Sequence, residues 1–236
     1  MTFMEEVVRK SIPIWDTCAE TSFVKELQAG VLPEEKFKRY MIQDSIYLKN
    51  YARIFGKAIY QSTNLRDIQV YYSILGLVTE EESAVRLSWL KRFGMSDDDI
   101  EDMEPLPENR RYIDFLLGTA ERGNIPEILM AALPCMLSYS YIFRKIDKMS
   151  GTSRSKYYDF IQDYAEDKYF EDCKYWCAFA DRKCRDLEIR EKRRLGGIFE
   201  EASLLELEFW RGMYENGCVS LRGRRTEEES FKHSGF

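Results

Sequence analysis

Histidine is almost missing from this chain: one residue in 236, His233, close to the end of the sequence. Catalytic zinc, non-haem iron and haem sites draw on imidazole, as do Ser-His-Asp and Cys-His triads, so this scarcity excludes most of them. Excess positive charge is missing as well. Lys and Arg number 35 against 41 Asp and Glu, a formal net charge of −6, whereas a surface that displaces counterions from nucleic acid or an anionic membrane needs the opposite balance. No run of roughly 18 consecutive apolar residues occurs, and "MTFMEEVVRKSIPIWD" carries acids where a secretory leader would be apolar. The expectation is a cytoplasmic protein with a small molecule, rather than nucleic acid or membrane, as its partner. Among the six cysteines, Cys173, Cys177 and Cys184 share a helical face but lack the CxxC turn or added histidines of a zinc site. They read as core packing, and neither a metal nor another cofactor is expected.

What is present is helical. The sequence is 44% hydrophobic and 14% aromatic, enough for one sizeable core, and its apolar residues recur at helical rather than strand spacing. The fold class read from this is all-α, as a single helical domain over 1–217 followed by a polar tail, 218–236, expected to be frayed or disordered. "LPEEKFKRYMIQDSIYLKNYARIFGKAIYQS" opens with proline and two glutamates, good first-turn residues, and predicts one long helix to about residue 61. A second helix is predicted from about 64 to Gly94, followed by the acidic, proline-marked connection "MSDDDIEDMEPLPE". A third runs near 108–122 and stops at Gly123. Asn124 is placed to cap a fourth, running to about Met149, and two or three more fill 154–186 and 188–216.

Three reactive side chains interrupt apolar stripes. On the long helix the stripe runs Phe37, Tyr40 or Met41, position 44, Tyr47 or Leu48, Tyr51, and position 44 is Asp. On the last helix it runs Phe199, Ala202, Ser203, position 206, Phe209, Trp210, Met213, and position 206 is Glu, while Glu200, Glu201 and Glu208 fall off that face. A buried carboxylate is either well hydrogen-bonded or lines a cavity. The third is Cys135, in "AALPCMLSYSYI", directly after a proline that removes an N–H and is expected to kink the helix and free the carbonyl of Met130. Each taken singly is ordinary core material. Together, on three helices and among 15 tyrosines, they describe a polar pocket suited to a flat ring.

Those segments, "FVKELQAGVLPEEKFKRYMIQDSIYLKNYARIF", "RRYIDFLL", "AALPCMLSYSYI" and "EEASLLELEFWRGMY", resemble in order and spacing the TenA/thiaminase II family of aminopyrimidine hydrolases, over about residues 5–216. The resemblance implies a haem-oxygenase-like helical bundle without haem, usually a homotetramer. It implies hydrolysis of aminopyrimidines related to thiamin, typically 4-amino-5-aminomethyl-2-methylpyrimidine, in thiamin salvage. Carried over residue by residue, it makes Cys135 the nucleophile, Glu206 the acid/base and Asp44 the ligand of the pyrimidine's amino edge. Tyr47 becomes a pocket residue, Tyr112 the tyrosine beside the thiol and Phe209 a ring-packing residue. Tyr164 is matched to a substrate-positioning role for which Tyr157, Tyr158 and Tyr169 compete. Cys135 fits the cysteine-containing branch, and the scarcity of histidine departs from di-iron relatives. A non-catalytic pyrimidine-binding or regulatory protein on the same fold remains an alternative, as does an oxygen-dependent oxidase. The preferred substrate among the aminomethyl pyrimidine, its formyl derivative and thiamin stays open.

Overall fold

In the computed structural model, which describes residues 1–76 and 82–215, helices begin where the sequence supplies caps. Thr2 opens α1 (Phe3–Ala19) with a capping box to Glu5, and Thr21 caps α2 (Ser22–Gln28) through the amide of Val24. Pro33 precedes α3 (Glu34–Gln61), where Glu34 and Glu35 sit at the positive end of the helix dipole. The stretch predicted as one helix to Gly94 is described as α4 (Leu65–Gly76) and α5 (Glu82–Arg92), with residues 77–81 outside the described residues. A short α6 (Asp97–Ile100) falls in the acidic connection. α7 (Pro107–Arg122) starts on a proline and gives way to Gly123.

Asn124 then closes a capping box with Glu127 at the head of α8 (Ile125–Asp147). α9 (Tyr158–Ala165), α10 (Asp167–Cys184) and α11 (Ile189–Glu215) follow. No strand occurs among the described residues, in keeping with the all-α reading. α1 and α2 have no counterpart in the sequence reading: Pro13 lies inside α1, where a proline usually ends a helix. The expectations for the tail 218–236 lie outside the described residues.

α8 is the centre of the bundle. α1, α3, α7, α9, α10 and α11 all pack on it, and every residue from Ile128 to Pro134 is buried. By length and composition alone α8 could cross a membrane, but 72% of its most apolar window is buried inside the bundle, as befits a core helix. It runs unbroken through Pro134. Around it the aromatic side chains interlock: Tyr40 stacks on Trp210 with centroids 5.4 Å apart and planes 7° from parallel, and the Tyr40 and Tyr139 hydroxyls meet at 2.9 Å. The Trp15 indole N–H donates to Ser203 Oγ at 3.2 Å and ties α1 to α11.

Two glycines permit close approaches, one to backbone and one to a side chain that a larger residue would displace. Gly30, in the turn between α2 and α3, has φ +73°, and a Cβ there would lie 2.9 Å from the Ser155 backbone. Gly212 on α11 faces Glu108 on α7, where a Cβ would lie 2.7 Å from Glu108 Cγ.

Candidate active site

α3, α7, α8 and α11 each turn one face toward a common interior. α3 supplies Asp44, Tyr47 and Tyr51 at i, i+3 and i+7; α7 supplies Tyr112; α8 supplies Cys135 and, one turn on, Tyr139; α11 supplies Glu206 and Phe209. The predicted stripes are the buried faces: Phe37, Tyr40, Asp44, Tyr47 and Tyr51 on α3, and Phe199 through Met213 at the same spacing on α11. Asp44 is 6% exposed and Glu206 2%, while Glu200, Glu201 and Glu208 are exposed. The Cys135 thiol is half-buried within an otherwise buried stretch of α8.

The rings and charges show how near these groups lie. Tyr47 packs on Tyr112 with ring centroids 4.9 Å apart and reaches Phe209 at 6.4 Å. Cys135 raises the pKa of the Tyr47, Tyr112 and Tyr139 hydroxyls, as does Glu206, in each case behind the larger effect of burial. The Tyr51 hydroxyl donates to the Ala132 carbonyl at 3.0 Å, fastening α3 to the turn that precedes the thiol. Tyr164, on α9, is buried and its ring meets that of Tyr139 at 4.9 Å. Of its competitors, Tyr157 is buried against Phe37 and donates to the Leu32 carbonyl, and Tyr169 packs on Tyr164 itself.

Both acids are shifted upward, so that protonated forms persist near neutral pH. Burial pushes Glu206 up to about 8, with the nearby Asp44 charge adding to the rise. The Tyr112 hydroxyl approaches Glu206 closely enough to ease its ionisation slightly, yet closes no hydrogen bond of good geometry. Burial likewise lifts Asp44 to about 7, against an opposing pull from Arg86. No described side chain makes a hydrogen bond or ion pair with Asp44. The Tyr47 hydroxyl, buried too, approaches that of Tyr112 without closing a hydrogen bond of good geometry. Such unmatched groups cost stability unless something else uses them, and a neutral carboxylic acid near pH 7 is a proton donor.

Sequence reasoning missed two contributors. Tyr139 could have been found, since it lies four residues beyond Cys135 on the same helical face. Arg86 could not: it comes from α5, where its Nη1 donates to Ser45 Oγ and to Asp97, both at 2.7 Å, and nothing in its local sequence points to Asp44. Among the described residues no three His, Cys, Asp or Glu side chains gather to hold a metal ion. Cys173 and Cys184 are buried in the core face of α10.

Helices wrapped on a central apolar helix, with two buried acids and a half-buried thiol on their inner faces, mark this as the candidate ligand site of the bundle. The TENA/THI-4/PQQC family profile matches residues 9–216, and the chain belongs to that family. It is 31% identical over 224 residues, 94% of this chain and 100% of the relative, to the aminopyrimidine aminohydrolase of Halalkalibacterium halodurans. Among solved structures, the TenA homologue of P. horikoshii superposes with a TM-score of 0.82 at 27% identity, covering 92% of this chain and 100% of that one. A domain of unknown function with a heme oxygenase-like fold from Shewanella denitrificans superposes at 0.66 with 16% identity, over 89% of this chain and 91% of that one. The fold is therefore the haem-oxygenase-like helical bundle.

Proposed function

We propose that the chain is an aminopyrimidine aminohydrolase of thiamin salvage that replaces an exocyclic amine on a pyrimidine by water, with Cys135 as nucleophile. The hydrolase class rests on the relatives that carry that name. The observation that carries the assignment of residues is the pairing of two buried carboxylic acids, Asp44 raised to about 7 and Glu206 to about 8, with a half-buried thiol in a site without histidine.

In this reading Asp44 holds the amino edge of the ring, its carboxyl matched to one ring nitrogen and to the 4-amino group, which is retained, through charge-assisted hydrogen bonds. Tyr47 and Phe209 flank the ring. The Cys135 sulfur gives an electron pair to an electron-poor ring carbon, and a ring nitrogen takes up the displaced pair with a proton from Glu206, which accepts the thiol proton in exchange. Electrons from the ring then expel the protonated amine of the aminomethyl arm as ammonia. Water adds to the remaining methylene and gives its extra proton to the ammonia, the sulfur leaves with its electron pair, and the ring-nitrogen proton returns to it through Glu206, restoring aromaticity. Tyr112 and Tyr139 border the thiol as neutral phenols, because their hydroxyls are pushed upward by burial.

Ammonia release from 4-amino-5-aminomethyl-2-methylpyrimidine tests the reading directly. Release by the native chain and not by Cys135→Ser is expected; release by both removes the thiol from the chemistry. A homotetramer goes with this reading. Tyr60, Leu65 and Tyr72 stand 85%, 69% and 71% exposed on α3 and α4, apolar surface of the kind an assembly covers. Light scattering at four times the 28.0 kDa chain mass is expected.

A further inference from the structure

α8 carries two separate faces. Cys135, Tyr139 and Ile142 follow helical steps along one; Leu137, Ser140, Tyr141, Arg144 and Lys148 follow the same steps along the opposite one. The second face floors a cleft of about 860 Å³ walled by α1 and α10, and neither Asp44, Cys135 nor Glu206 lines it.

The middle of the cleft is apolar, formed by Val8 and Trp15 of α1, Leu137 of α8, and Cys173 and Cys177 of α10. Trp15 has its indole N–H engaged on Ser203 and leaves the cleft only its ring. The ends differ in charge. Glu5 and Asp181 stand at one, Arg144, Lys145 and Lys148 at the other. Arg144 is matched by Asp167 at 2.9 Å and Lys145 by Asp16 at 2.7 Å, whereas no acid among the described residues pairs with Lys148.

Ser140 adds a second observation. A serine inside a helix usually turns its hydroxyl back on the preceding turn, as Ser203 does to Phe199 O at 3.0 Å and Ser45 to Met41 O at 2.7 Å. Ser140 does not. It is 3% exposed, lines the cleft, and its Oγ has no hydrogen-bond partner. A buried hydroxyl left unmatched costs stability unless a ligand satisfies it.

We propose that this cleft is a second binding site, for an elongated amphipathic anion. Its carboxylate meets Lys148, its hydrocarbon lies along the rings of Trp15 and Tyr141, and a polar atom at its far end meets the Ser140 hydroxyl. Ser140 lies on α8 and Lys148 is the residue that caps its C-terminus, eight positions on, a rise of about 12 Å, which a chain of ten carbons spans. The site is independent of the Cys135 reading.

The test uses the full chain with 10-hydroxydecanoate, decanoate and decyltrimethylammonium as probes, followed by calorimetry and tryptophan fluorescence. One site per chain is expected for 10-hydroxydecanoate, with a change in emission from Trp15 and weaker binding of decanoate. Lys148→Glu, a change at an exposed position, weakens both carboxylates about tenfold through lost attraction and new repulsion. Ser140→Ala removes the preference for the hydroxylated chain. Ala178→Trp fills the cleft and abolishes binding while ammonia release by the enzyme is unchanged, and Cys135→Ser binds as the native chain does. The proposal is overturned if no probe saturates, if decyltrimethylammonium binds as tightly as decanoate, or if Ala178→Trp leaves the affinity unaltered.

Discussion

Gln43 and Asp44 are neighbours on α3, both buried at 1% and 6% exposure, and they stand in opposite relations to the rest of the protein. Gln43 is matched. Its Oε1 accepts from the Leu106 amide at 2.8 Å and from Asn109 Nδ2 at 3.0 Å, and its carbonyl takes Asn109 Nδ2 at 2.7 Å, so it clamps α3 to the start of α7. Asp44, one residue on and 100° around the helix, meets no such partner. Burial of a polar group therefore does not mark function by itself; burial without a partner marks a candidate, because the fold gains nothing from it.

Four experiments break or sharpen that contrast. Cys135→Ser should lower kcat by about 10³-fold or more, since an alcohol without a histidine base is a poor nucleophile, while circular dichroism and melting stay near native. Asp44→Asn should raise KM by about tenfold or more through loss of a charge-assisted contact, and the thermal midpoint should hold or rise because a buried acid without a partner has been neutralised. A collapse of stability with normal KM would make Asp44 a second Gln43.

Gln43→Ala should do the reverse. It strands the Leu106 amide and Asn109, costs about 1–3 kcal/mol in urea unfolding, and leaves KM for the folded fraction unchanged. A separate effect concerns pH. Asp44 at about 7 and Glu206 at about 8, against ordinary values of 3.8 and 4.5, mean that the folded chain binds more protons than the unfolded one between those limits. These two groups then make stability fall as pH rises from about 4 to about 8 and restore it on acidification. The urea midpoint should be higher near pH 6 than near pH 8.5, and Glu206→Gln should shrink that difference.

The stripes on α3 and α11 were readable because an amphipathic helix advertises its buried face, and an acid in mid-stripe stands out against it. Cys135 stood out beside Pro134, and the caps at Pro33 and Asn124 marked their helices directly. α1 was not readable, because Pro13 lies within it and tertiary packing, including the Trp15 bond to Ser203, holds the helix together past that residue. Arg86 was not readable for a different reason. Its effect on Asp44 acts through space between α5 and α3, and no periodicity within either helix encodes that approach. The cleft beneath Ser140 was equally hidden: its floor reads as a second polar-flanked stripe of α8, and only the arrangement of α1 and α10 shows that the stripe is left partly uncovered.

The position of α8 also fixes how long the site lasts. A helix buried from Ile128 to Pro134 and enclosed by six others has no local route by which its amides can reach water, so they exchange with deuterium only when the whole bundle opens. Pro134 contributes no amide to that record, and the signals either side of it, from Leu133 and Cys135, report the same event. The thiol is therefore mounted on a segment expected to be among the slowest to exchange of the described residues. Its surroundings are expected to persist for the lifetime of the native state and to be lost with it in one step.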